Sequence, residues 1–176
     1  MTIYELLRRD HRHVDHLFKR IQKALDGRDL SEVPELFDEL KVELTAHSKA
    51  EQEVFYQPLK VLAQSKEGEE YTWEGEEEHH VMRLLLNELS RLPFRSEEWA
   101  AKIKVLSEVV EHHVEEEEGP IFKEGKKVFS DEEAEKIADS METLKEIYKT
   151  QVDQALSEDL ALLQRPIEHQ SYPNQL

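Results

Sequence analysis

His113-Val114-Glu115-Glu116-Glu117 repeats the outline of an earlier stretch, His47-Ser48-Lys49-Ala50-Glu51. In each, a histidine stands one helical turn before a glutamate, so both side chains leave the same side of one helix. Apolar residues lead into each pair at helical spacing: Phe37, Leu40 and Leu44 before His47, and Ile103, Leu106 and Val110 before His113. Both stripes then run on, to Phe55 and to Ile121. The polar pairs therefore occupy positions where core residues belong. An imidazole and an ionised carboxylate are costly to bury without partners, and two such insertions ask for one explanation. A shared metal centre supplies it.

The two motifs sit inside a longer repeat. Asp10-His11-Arg12-His13-Val14 aligns with Glu78-His79-His80-Val81-Met82, an acid preceding the histidine in each. His47 follows His11 by 36 residues, and His113 follows His79 by 34. The chain thus reads as two helical hairpins, each contributing a His, then a His and a Glu. Packed as an all-α, up-down-up-down four-helix bundle, the hairpins bring His11, His47, Glu51, His79, His113 and Glu117 to one level of the core.

The remaining elements follow from caps and breakers. Thr2 and Glu5 form a capping box for a first helix that is expected to end at Asp26-Gly27, with Gly27 as the left-handed cap. A second helix is predicted from Ser31 to Leu62, kinked or ended by Pro58. Residues 64–75 read as a polar connection, and a third helix is predicted from Glu76 to Leu92. Ser96 caps a fourth, running to Val128 with a distortion at Gly119-Pro120. Residues 1–128 form the bundle. Ser130 and Glu133 open an additional C-terminal helix over 129–164, packed on the bundle or forming a homodimer interface, with Leu156, Leu160 and Leu163 on its apolar stripe. Residues 165–176 are expected to form a tail.

Composition narrows the function classes. Forty acidic residues against 23 basic ones give a net charge of −17, with no basic stripe for nucleic acid. There is no cysteine, which removes thiolate metal sites and a Cys nucleophile. No window approaches the ~20 apolar residues of a membrane span. The N-terminal stretch is already charged by Arg8 and lacks the apolar run of a signal peptide, so a cytoplasmic protein is expected.

Four imidazoles and two carboxylates facing inward suit iron, and carboxylates can bridge a pair of ions. Two equivalent ligand sets favour two metals, each with two His and shared Glu oxygens. Oxo, hydroxo or water bridging and an exchangeable position would complete the coordination. Zinc is the alternative metal, although six converging ligands exceed what one tetrahedral site needs.

DHRHV at 10–14, HSKAE at 47–51, EHHVM at 78–82 and HVEEEE at 113–118 resemble the hemerythrin-like HHE cation-binding proteins over about residues 1–128. The resemblance implies two non-haem irons held by His11, His47, Glu51, His79, His113 and Glu117. It implies a small-molecule ligand: oxygen, nitric oxide or hydrogen peroxide, for sensing, storage or detoxification. The animal oxygen carriers have a further histidine one turn after the third-helix ligand, where this chain has Arg83. That departure speaks against simple oxygen carriage and leaves open whether there is turnover.

Two other readings compete. An acidic helical sensor or interaction module would use its metal for stability, or handle iron, and meet a partner through the C-terminal helix. A zinc hydrolase would need a signature such as H-E-x-x-H, which is absent. Within the motifs, His112 with Glu116 is the alternative register on the fourth helix, but its stripe leads to Gly119 instead of Ile121. His13, His16, His80 and His112 are then surface groups or groups that orient ligands. The run Glu115–Glu118, apart from Glu117, reads as a solvated face, and Glu76–Glu78 as charge at a helix N-terminus complementing its macrodipole. Tyr56 and Phe122, each five residues after a Glu ligand, read as packing, with lining of the pocket as the alternative.

Overall fold

The computed structural model describes residues 1–163, with side chains described through residue 155. Seven α-helices follow one another in this stretch: α1 (Ile3–Gly27), α2 (Val33–Glu51), α3 (Gln57–Leu62), α4 (Lys66–Leu89), α5 (Glu97–Glu116), α6 (Phe122–Val128) and α7 (Asp131–Leu163). Short connections fold α1 back on α2 and α4 back on α5, and the two hairpins pack as a four-helix bundle. The tail expected at 165–176 and the stripe residues Leu156, Leu160 and Leu163 lie outside the described residues or side chains.

Local chemistry sets the boundaries. Glu5 Oε2 accepts the Thr2 N–H at 2.8 Å, closing the start of α1. Its end corrects the expectation at Gly27: that residue stays helical, and Arg28 adopts the left-handed conformation at φ 57°. Arg28 is exposed, and its N–H still satisfies the Leu25 carbonyl at 3.2 Å. Ser96 Oγ accepts the Trp99 N–H at 3.1 Å and starts α5.

Both motif helices widen just where their glutamates stand. A π-helical turn spans Gln52–Tyr56, immediately after Glu51, and another spans Glu117–Ile121. Pro58 and Pro120 lack the N–H that would bond to the carbonyls of Val54 and Glu116, so regular α-helix is interrupted at both places. The distortion expected at Gly119-Pro120 is this second turn. Widened turns of this kind often mark functional sites.

The third bundle helix begins ten residues earlier than its sequence suggests. Residues 66–75 are helical, not a connection. Glu124, reaching over from α6, accepts the N–H groups of Gln64 (2.7 Å) and Ser65 (3.2 Å), while Ser65 Oγ caps Gly68 at 3.0 Å. The face toward the bundle is made of Gly68, Thr72 and Gly75. A Cβ on Gly75 would lie 2.8 Å from the Tyr56 ring. Small residues thus serve as the packing face here, and apolar periodicity does not register them.

The interior forms two apolar clusters. One gathers Phe37, Leu40, Leu86, Leu89, Trp99 and Ile103. The other gathers Ile3, Leu6, Phe55, Tyr56, Phe122 and Met141. α7 lies along α2 and α1, bringing Ala134, Ala138 and Met141 into the second cluster. Between the clusters runs a belt of buried polar side chains.

Candidate metal centre

His11, His47, Glu51, His79, His113 and Glu117 are all buried in that belt. α1 supplies His11, α2 supplies His47 and Glu51, α4 supplies His79, α5 supplies His113, and the second π turn opens on Glu117. They form two donor groups, His11–His47–Glu117 and Glu51–His79–His113, each compact enough to enclose one ion. Each group takes both histidines from one hairpin and its carboxylate from the other. Glu51 Oε2 lies 3.2 Å from His79 Nε2 and 3.7 Å from His47 Nε2, so it reaches toward both groups. Glu117 Oε2 does the same, 2.9 Å from His11 Nε2 and 4.0 Å from His113 Nε2.

The donor atoms at the middle are unsatisfied. Both oxygens of Glu51 and of Glu117, and Nε2 of His11 and His47, are buried without a hydrogen-bond partner. The 2.9 Å approach of His11 Nε2 to Glu117 is off the angle a hydrogen bond needs. His79 Nε2 and His113 Nε2 face each other at 3.1 Å. A buried polar atom without a partner is expensive, and so many at one point fit a cation.

The outer ring nitrogens are held by acids. Asp10 Oδ2 lies 3.4 Å from His47 Nδ1, Glu78 Oε2 lies 2.8 Å from His113 Nδ1, and Glu118 Oε1 lies 2.9 Å from His11 Nδ1. A carboxylate on Nδ1–H fixes the tautomer that turns the Nε2 lone pair inward, as metal-binding histidines require. The first two acids obey the internal repeat: the acid before the first histidine of each hairpin holds the second histidine of that hairpin. Glu118 follows Glu117, but its counterpart after Glu51 is Gln52. His79 Nδ1 is correspondingly buried without a partner. Its ring is stacked on Tyr56 instead, with centroids 5.5 Å apart and planes 17° from parallel.

Burial and mutual repulsion shape the electrostatics of the metal-free centre. Burial, then the charge of Glu117, pushes the Glu51 carboxyl far above its ordinary range. Burial also opposes the charge on Glu117, but Glu51 and His11 outweigh it and hold that carboxyl down. His79 is pushed well down by burial and by His113, and His47 is lowered mainly by burial. His11 is raised, because Glu117 and Glu118 overcome the penalty of burial. Burial, then Glu117 and Glu51, drives the Tyr56 hydroxyl well up, so it stays neutral.

Two acids read from the sequence as solvated or helix-start charge are not so, and a third acid joins them. Glu78 lies well inside α4, not at its start, and Glu118 completes the support of His11 through a 3.0 Å pair with Arg8. Asp10 is buried between His47 and Lys145. The acid-before-histidine repeat was the available signal for Asp10 and Glu78; nothing singles out Glu118 within its acidic run. His13, His16, His80 and His112 are exposed. His112 approaches Glu78 and Glu116 at 3.6 Å from outside, away from the inner donors.

The model of the hemerythrin HHE cation-binding domain matches residues 2–124. The chain belongs to this family. A solved hemerythrin HHE cation-binding domain-containing protein from Mycobacterium kansasii superimposes with a TM-score of 0.72 at 25% identity, covering 86% of this chain and 89% of its own. A protein of Nostoc sp. (strain PCC 7120 / SAG 25.82 / UTEX 2576) named DNA nickase is 30% identical over 145 residues. That match takes in 82% of this chain but only 39% of the relative. The HHE domain here is a cation-binding helical bundle with an extra C-terminal helix. No helix among the described residues is long and apolar enough to cross a membrane.

Proposed function

We propose that this HHE protein holds two non-haem iron ions at the six-residue centre, and that an open coordination position takes oxygen, nitric oxide or hydrogen peroxide. The observation that carries the reading is the convergence of unpartnered buried atoms from Glu51, Glu117, His11 and His47. His11 and His47 would hold one ion, His79 and His113 the other, with Glu51 and Glu117 spanning both. Nitrogen and carboxylate donors without sulfur suit iron better than a soft metal, and their number exceeds the four that a structural zinc takes. When bound, the irons supply redox chemistry and a vacant position.

The protein's own contribution is orientation and exclusion. Asp10, Glu78 and Glu118 keep three Nδ1 atoms protonated and three Nε2 lone pairs aimed inward. A cavity of about 20 Å³ adjoins the four histidines, walled by Val14, Leu44, Met82 and Val110. It is large enough for a water-sized guest and too small for an organic substrate. Its apolar wall favours an uncharged small molecule. Tyr56 remains a neutral hydroxyl, its ring stacked on His79.

A second reading, a sensor or interaction module in which the metal chiefly stabilises the fold, is favoured by α7, which lies beyond the matched residues 2–124. The activity in the name of the Nostoc relative is not carried over: that protein is more than twice as long as the matched stretch, and this chain has a net charge of −17.

Anaerobic loading with ferrous ion, followed by separate exposure to oxygen, peroxide and nitric oxide under optical spectroscopy, tests the proposal. Two irons per chain and a ligand-dependent spectrum are expected. Protein that stays iron-free after loading defeats it. Iron-loaded protein whose spectrum ignores all three ligands leaves the structural reading in its place.

A further inference from the structure

Lys145 interrupts the apolar face of α7. It is only 5% exposed, and no burial of a lysine is expected without a partner. Its ammonium group pairs with Asp10 Oδ2 and lies 3.8 Å from Glu43 Oε2 on α2. Lys149, one turn on, pairs with the other oxygen of Glu43 at 2.7 Å. Asp10 Oδ2 is the same oxygen that faces His47 Nδ1 at 3.4 Å. Arg9 touches only the opposite oxygen, Oδ1, at 3.4 Å. A continuous chain of polar contacts thus runs from the fifth long helix to a histidine of the centre.

The other hairpin provides an internal control. Glu78 stands to His113 as Asp10 stands to His47. The ion pairs found for Glu78 among the described residues are with His112 and His113, and neither α7 nor a lysine takes part. There the histidine–carboxylate distance is 2.8 Å, against 3.4 Å where Lys145 shares the oxygen. An ammonium group that draws on an acceptor oxygen leaves less of it for a second donor. The imidazole then gives up less of its Nδ1 proton and donates less through Nε2.

We propose that Lys145 is a positioning residue of the metal centre, fixing Asp10 and limiting how strongly His47 donates to its ion. The inference rests on iron binding at the six-residue site. It makes α7, which lies outside the matched family region, part of the centre's electronic environment.

The test compares the full-length iron-loaded protein with its Lys145→Met, Lys145→Arg and Asp10→Asn variants, reading the reduction potential of the centre and the thermal midpoint. Lys145→Met frees Asp10 to pull on His47 and is expected to lower the potential. Asp10→Asn removes the carboxylate and is expected to raise it, while weakening iron retention about 10- to 100-fold. Lys145→Arg, which keeps the pair, stays near wild type. A potential unchanged in Lys145→Met while the thermal midpoint falls, or shifts of the same sign in Lys145→Met and Asp10→Asn, overturns the proposal. Should Lys145→Met not fold, Lys145→Gln replaces it, with the same sign expected. Histidine nitrogen–proton NMR of the metal-free protein reads the same bond without iron. The His47 Nδ1 proton should move downfield when the lysine charge is removed, and a fixed resonance overturns the link. Wild-type protein that takes up no iron at all counts against the metal assignment, and the NMR arm still decides the role of Lys145.

Discussion

Glu51→Gln should make the metal-free protein more stable and destroy its function. Glu51 is fully buried, finds no hydrogen-bond partner, and faces a second carboxylate on Glu117. Burial and that neighbour raise its pKa in the fold above the ordinary 4.5. The sign follows directly: the folded chain keeps a proton that the unfolded chain has released, so this group's contribution is complete below 4.5 and is lost as pH rises through the raised folded value. Within that window wild-type stability falls by about 1.4 kcal/mol per pH unit on account of Glu51. Glutamine has the shape of the protonated acid and no such slope. Over two units within the window the variant therefore gains about 3 kcal/mol, or about 6–12 °C for a chain of this size. Urea unfolding of chelator-treated wild type and Glu51→Gln at stepped pH measures the difference, and iron content after ferrous loading measures the loss. A pH-independent difference, or a variant less stable throughout, would refute the view that Glu51 is held in the fold against its own solvation for the sake of a cation.

Other outcomes can be checked alongside. His113→Ala should reduce bound iron below two per chain, whereas His112→Ala, whose exposed ring lies outside the two buried donor groups, should leave the count unchanged; metal analysis distinguishes them. Gly75→Ala forces a Cβ to within 2.8 Å of the Tyr56 ring that stacks on His79. The overpacking costs about 1–3 kcal/mol, less up to about 1 kcal/mol of gained helix propensity, and should alter the optical spectrum of the iron-loaded protein. Glu124→Ala leaves the N–H groups of Gln64 and Ser65 without their acceptor and should cost about 2–4 kcal/mol in urea unfolding. Lys127, then the N–H of Gln64, keeps the Glu124 carboxyl below its ordinary 4.5, so its stabilisation is present at neutral pH and lost as pH falls through the depressed value. Wild type should lose more stability than Glu124→Ala on acidification.

Residue spacing alone carried the bundle and the six side chains that meet, buried, at its middle. A histidine and a glutamate four positions apart inside an apolar stripe can only point into the core, and doing so twice requires something to receive them. His11 and His79 were harder to see singly, and the repeat located them because equivalent hairpins place equivalent residues at equivalent depth. Caps at Thr2, Ser96 and Ser130 were legible for a related reason: each depends on residues within one turn.

What tertiary structure decided was everything that depends on which surfaces meet. Residues 66–75 form helix because Glu124, distant in sequence, caps their start and because glycines let Tyr56 press close. Glu78 and Glu118 look like any acid on a wet helix until packing puts a histidine in front of each, from its own hairpin for Glu78 and from the opposite one for Glu118. Lys145 looks like a defect in the stripe of α7 until packing against α1 and α2 brings Asp10 to its ammonium group. A helix's own periodicity fixes only which way a side chain points. Whether that direction leads to water, to a partner or to a cation is set by the neighbouring helices, and the charge of a buried group is settled there too.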